Sequence, residues 1–148
     1  MYNRYKIFTV TILKMQRAIQ KIKTEEIAEY NLKGAHVSCI YYLYKENALT
    51  ITELRDICGE DKSYVSHSMK YLEENGYVMC TSNAAKRYNA PFYLTDKGKE
   101  VGIYVAEKID KILEMTSDGM SDEERDAFYR GLDLISTNLD RICENYEK

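Results

Sequence analysis

Apolar residues recur at Phe8, Ile12, Met15, Ile19 and Ile22, a 4-3-4-3 spacing that lines one face of a helix. Over Phe8–Ile12 β-branched residues also alternate, so a strand is the alternative there, although the helical period continues past it. Asn31 to Gly34 offers a break, and the next pattern predicts a helix from Gly34 to Lys45 with Val37, Ile40, Tyr41 and Tyr44 inward. Thr50-Ile51-Thr52-Glu53 is a capping box, opening a short helix Ile51–Cys58 that buries Leu54 and Ile57. Gly59 supplies a turn, and Asp61 is a good N-cap for a helix with Val65, Met69 and Leu72 inward, ending at Asn75-Gly76. Beyond Gly76 the period shortens. Tyr77–Thr81 and Ala90–Leu94 read as strands around a polar loop, Ser82–Asn89, and Pro91 suits an edge strand. Thr95 caps a helix with Val101, Val105, Ile109 and Ile112 on its apolar side, broken at Gly119. Ser121-Asp122-Glu123-Glu124 is a second capping box, and the last helix carries Phe128, Leu132, Ile135, Leu139 and Ile142 at the same 4-3-4-3 spacing.

Composition agrees with this helical reading. The 148 residues suit one domain with dimerisation arms, 45% apolar content provides for a core, and a single proline leaves long stretches unbroken. The formal net charge is −3, which excludes a generally basic nucleic-acid coat. Its distribution is uneven: residues 1–40 carry +4, residues 41–99 balance, and residues 100–148 carry −7. Anion-binding work therefore belongs to the first two thirds of the chain. Cys39, Cys58, Cys80 and Cys143 show no metal-finger spacing with one another or with His36 and His67, so they are expected as reduced, half-buried thiols. The apolar run Ile7–Leu13 is too short to span a bilayer, and no metal, cofactor or membrane partner is expected.

Two short helices joined by a glycine turn, followed by a hairpin, form a winged helix-turn-helix. The fold class is thus mainly α with a small β-hairpin wing, flanked by long dimerisation helices. The predicted division is an N-terminal dimerisation helix over 1–32, a DNA-binding domain over 33–98 and C-terminal dimerisation helices over 99–148. Burial of Val65, Met69 and Leu72 turns Lys62, Ser63, Ser66, His67 and Lys70 outward, with Tyr64 intermediate. Short hydroxyls allow close approach to bases or phosphates, and the lysines suit phosphate. Lys86 and Arg87, the one adjacent pair of basic residues in the chain, mark the wing tip. The alternative is a solvated surface, since residues 61–95 hold four basic against three acidic side chains. The order of the elements favours DNA.

The run "LTITELRDICGEDKSYVSHSMKYLEENGYV" followed by "KRYNAPFYLTDKG" resembles the MarR family of bacterial transcription regulators. The resemblance covers nearly the whole chain and is strongest over Leu49–Gly98, including the Leu-Thr-x-x-Gly opening of the helix after the wing. It implies a homodimer whose terminal helices interlock and present two winged helices to a pseudo-palindromic double-stranded operator. Two positions depart from the family pattern. His67 stands where an arginine is frequent, and Ala85 where an aspartate commonly braces the wing arginine.

The seams Phe8, Ile12, Met15, Ile19 and Phe128, Leu132, Ile135, Leu139, Ile142 have coiled-coil spacing and are the expected dimerisation residues. The resemblance further implies release of DNA by a small aromatic effector, with His36, Tyr41 and Tyr104 as candidate pocket residues; aromatic core packing is the alternative for each. The family's peroxide-sensing branch uses a cysteine in the first helix, and none precedes Cys39 here, so thiol sensing is not expected. The leading reading is a cytoplasmic dimeric transcription regulator, a repressor. A winged-helix protein-interaction adaptor is the competing one. A catalytic role is not expected, because no phosphate loop, zinc cluster or paired nucleophile is present.

Overall fold

The computed structural model describes residues 3–81 and 89–147. A short helical turn, Arg4–Lys6, and a π-helical stretch, Ile7–Thr11, lead into α1 (Ile12–Glu26). The alternating β-branched residues are therefore helical, and their crowding coincides with the wide π turn. Thr9 bonds its hydroxyl back to the Tyr5 carbonyl at 2.8 Å, four residues earlier. After a 3-10 turn at Ala28–Tyr30 and a left-handed Asn31 come α2 (Gly34–Glu46), α3 (Ile51–Cys58) and α4 (Lys62–Glu74). Strands β1 (Val78–Cys80) and β2 (Phe92–Leu94) pair antiparallel in the register Val78↔Leu94, Met79↔Tyr93, Cys80↔Phe92. Helices α5 (Asp96–Thr116) and α6 (Asp122–Glu144) complete the chain. Two compact units are present, Met1–Ile109 and Asp110–Lys148.

Local chemistry places the ends of these helices. The Thr50 hydroxyl accepts from the Glu53 amide at 3.2 Å while the Glu53 carboxylate accepts from the Thr50 amide at 2.8 Å. Ser121 and Glu124 repeat the arrangement at α6. The Asp61 carboxylate accepts from the amides of Ser63 and Tyr64, closing the first turn of α4. Gly59 ends α3 at φ 63°, a left-handed conformation that a side chain would resist.

The core of the first unit gathers α2, α3, α4, the hairpin and the start of α5. Val37, Ile40, Leu54, Val65, Met69, Leu72, Val101 and Val105 are buried as expected. Two expectations need correction. Ile57 is 40% exposed, and Ile51 is buried beside Leu54 instead. On α2 the deepest positions are Val37, Cys39, Ile40 and Leu43, whereas Tyr41 and Tyr44 are half-buried. A phenol tip needs water or a partner, so the tyrosines lie at the margin and leucine takes the interior. The cysteines range from fully buried Cys39, through half-buried Cys58 and Cys80, to exposed Cys143.

The seam residues Phe8, Ile12, Met15, Ile19, Phe128, Leu132, Ile135, Leu139 and Ile142 are each 40–50% exposed in the single chain. The helices that carry them are formed. Among the described residues no helix is long and apolar enough to cross a membrane.

Candidate nucleic-acid interface

Helix α4 carries the candidate site. Val65, Ser68, Met69 and Leu72 form its buried ridge, and the buried Ser68 hydroxyl is satisfied by the Tyr64 carbonyl at 2.8 Å. That ridge settles the rotation of the helix. Lys62, Ser63, His67 and Lys70 are exposed, and Ser66 is half-buried. Lys70 reaches Glu74 only at 3.9 Å with both side chains in water, so the pair leaves its ammonium available to an anion. Tyr64 is 49% exposed, and its hydroxyl leans toward Gly34 at the start of α2, close to the Gln20 side chain of α1. The phenol therefore borders α1 and α2 as well as solvent. Lys86 and Arg87 lie outside the described residues.

The C-terminal end of α4 is clipped by the first turn of α5. Thr95 donates its hydroxyl to the Gly76 carbonyl at 2.5 Å and accepts from the Gly98 amide at 3.1 Å. Lys97 donates to the Asn75 carbonyl at 2.7 Å, with its ammonium 4.3 Å from the Tyr77 ring centre. Gly98 has to lack a side chain, because a Cβ there would run into the Tyr77 carbonyl oxygen. The Leu-Thr-x-x-Gly run is thus a device that fixes α4 against the hairpin. The run's spacing predicts a helix start but not this partner, which is 19 residues away.

The effector candidates occupy separate neighbourhoods. His36 stacks on Tyr71 at 4.4 Å, Tyr41 meets Tyr42 edge-on, and Tyr104 meets Tyr30 edge-on. Burial, with Lys33 adding to it, holds the His36 imidazole below its ordinary pKa, and its Nδ1 accepts from the Lys33 amide at 3.2 Å. A cleft of about 340 Å³ lies elsewhere, lined by residues including Leu43, Tyr44, Tyr93, Lys99 and Ile103. None of the three candidates lines it. Among the described residues no cluster of His, Cys, Asp and Glu could hold a metal ion.

A capped short helix, a glycine turn, an outward-polar helix, a glycine stop and a two-stranded wing now stand in order, and residues 36–113 match the family described as winged helix DNA-binding domain. The chain belongs to that family. This winged-helix protein is similar to the uncharacterized HTH-type transcriptional regulator YybA of Bacillus subtilis. The two are 20% identical over 132 residues, 89% of this chain and 88% of that protein. A MarR family regulator from Neisseria meningitidis shares the fold at a TM-score of 0.82 and 19% identity, over 97% of this chain and 99% of that one. A MarR family transcriptional regulator from Listeria monocytogenes, solved in complex with a 26mer DNA, shares it at 0.80 and 20%, over 94% and 90%. The winged helix with long flanking helices expected from the MarR resemblance is the architecture of those structures.

Proposed function

We propose that this winged-helix protein is a sequence-specific DNA-binding transcription regulator, a repressor that acts as a homodimer. The observation that carries the reading is the rotation of α4: its ridge is buried and its Lys62–Lys70 flank is held outward by the clip at Thr95 and Gly98. In this reading α4 enters the major groove, with Ser66 and His67 facing base edges and Lys62, Ser63, Tyr64 and Lys70 toward phosphates. Lys86 and Arg87 touch the adjacent backbone or minor groove. Two copies joined through α1 and α6 address half-sites about one helical turn apart. The Listeria relative, solved with DNA, supports the same use of the shared fold.

Fluorescence titration with genomic and random duplexes at two salt concentrations tests the reading. Affinity should fall steeply with salt, by about 0.9 in the log–log slope for each phosphate neutralised. Ser66→Ala or His67→Ala should change sequence preference, whereas Arg87→Ala should weaken binding to all sequences alike. Absence of duplex binding, with the dimer intact, would favour the protein-interaction adaptor. A small aromatic effector belongs to this proposal too. The cleft beside Tyr44, Tyr93 and Lys99 is a better place for it than His36, Tyr41 and Tyr104, each of which already packs against another aromatic ring. Quenching of tyrosine fluorescence by an aromatic carboxylate, lost in Lys99→Ala, is the expected result.

A further inference from the structure

Between α1 and α2 the chain leaves regular helix, and side chains from two other helices grip it there. Ile27 departs from helical geometry at φ −116° and ψ 12°, Ala28–Tyr30 form the 3-10 turn, and Asn31 is left-handed at φ 54°. Within this joint the Tyr30 and Asn31 amides donate to the carbonyls of Ile27 and Ala28 at 3.1 and 3.0 Å. The Asn31 carbonyl accepts from the Tyr71 hydroxyl of α4, 40 residues along the chain, at 3.2 Å. The half-buried Tyr71 ring lies only 9° from parallel to His36, in the first turn of α2, with centres 4.4 Å apart. Helix α5 reaches the same joint, where Tyr104 meets Tyr30 edge-on at 5.3 Å and Lys108 pairs with Glu26 at 3.1 Å.

We propose that Tyr71 is a positioning residue for operator recognition, locking α4 to the root of the dimer arm and so setting the half-site spacing that the protein accepts. The inference rests on the reading of the protein as a DNA-binding homodimer. In such a dimer, joined through α1, the path from one α4 to the other runs through two of these joints. No unbroken ladder of helical hydrogen bonds stiffens residues 27–33, so contacts from across the fold must do so. Ile27 and Leu32, each 1% exposed, hold the joint in the core without fixing its direction, because apolar burial is non-directional. A hydrogen bond and a stacked ring do fix an angle.

The lever is long enough to matter. Ser63, at the reading end of α4, lies eight positions before Tyr71, which is about 12 Å along a helix. A swing of about 10° in each of two subunits then changes the separation of the reading ends by up to about 4 Å, against a base-pair rise of about 3.4 Å. The exposed Glu26–Lys108 pair contributes little to this stiffness.

Tyr71→Phe tests the lock, since it keeps the ring on His36 and removes the bond to Asn31. The probes are duplexes carrying two inverted copies of the half-site that the parent protein selects from a random pool. Half-site centres are set at the preferred separation and at one base pair more and less, and a further duplex carries one half-site alone. The parent should favour its own spacing at least tenfold. In Tyr71→Phe that preference should shrink to threefold or less, with single-half-site affinity within twofold of the parent and the dimer intact by sedimentation. An unchanged spacing preference in the variant, or a parent indifferent to spacing, would overturn the proposal. So would an equal loss on every duplex, the single half-site included, because the phenol would then act at the DNA or on α4 itself. A parent that binds no duplex sinks the regulator reading, and the lock is then judged by amide hydrogen exchange. Tyr30 and Asn31 should exchange at least fivefold faster in Tyr71→Phe, and unchanged rates would refute the lock.

Discussion

At the scale of single residues, the tightest constraint is Gly98. A methyl group there meets the Tyr77 carbonyl, which already accepts from the Thr95 amide at 3.0 Å and has no room to retreat. Gly98→Ala should therefore lower stability by about 1–3 kcal/mol, the usual range for overpacking; an unchanged urea midpoint would contradict the clip. His36 gives a pH signature. Its pKa is lowered in the folded chain by burial and Lys33, so the unfolded chain binds the proton more readily. The stability this adds is present in full above the unfolded pKa of about 6.5 and is lost as pH falls through the folded value. Urea midpoints between pH 7.5 and 5 should fall less steeply in His36→Phe, which keeps a ring on Tyr71, than in the parent. Equal slopes would remove His36 from the account. Neither feature was legible beforehand. In the sequence Gly98 shows only a helix start and His36 only a candidate pocket residue, because their partners, Tyr77 and Tyr71, lie across the fold.

At the scale of elements, the helices begin where their side chains can satisfy free amides, and this was readable. Thr50, Asp61 and Ser121 all cap as their types and spacing predict. Thr50→Ala and Asp61→Ala should each lower stability by about 1 kcal/mol. Their functional effects should differ. Asp61 orders the turn that holds Ser63 and Tyr64, so its loss should also weaken duplex binding, whereas Thr50→Ala should leave affinity nearly unchanged. Matching affinity losses in the two variants, measured by titration, would argue against that distinction. Periodicity was less reliable for short or mixed helices. Ile57 fits the inward stripe of α3 on paper, yet in an eight-residue helix a small rotation exchanges it for Ile51. On α2, Tyr41, Leu43 and Tyr44 compete for one core, and Leu43 takes the deepest place because it buries no hydroxyl.

At the scale of the whole molecule, the two apolar seams decide what the single chain cannot do alone. Nine large side chains on the N-terminal helix and α6 remain 40–50% exposed. Covering the exposed half of each would stabilise by about 1 kcal/mol, roughly half the value for full burial, and the proposed second copy would supply that cover. We expect sedimentation at micromolar concentration to show a dimer, and Leu132→Glu/Leu139→Glu to shift it toward monomer with weaker operator binding. A monomeric parent protein would end the proposal of paired half-sites. The acidic last third, −7 over residues 100–148, should keep this region away from the DNA backbone.

What the amino-acid sequence determined by itself was everything governed by neighbours within four residues. Helix starts, glycine stops, the change of period at the wing and the outward face of α4 all follow from local hydrogen bonding and one buried ridge. Tertiary structure alone decided which residues meet across the fold: Thr95 with Gly76, and His36 with Tyr71. Such pairings depend on how helices are rotated and docked, and that is set by the summed packing of the core. No spacing between the paired residues records it.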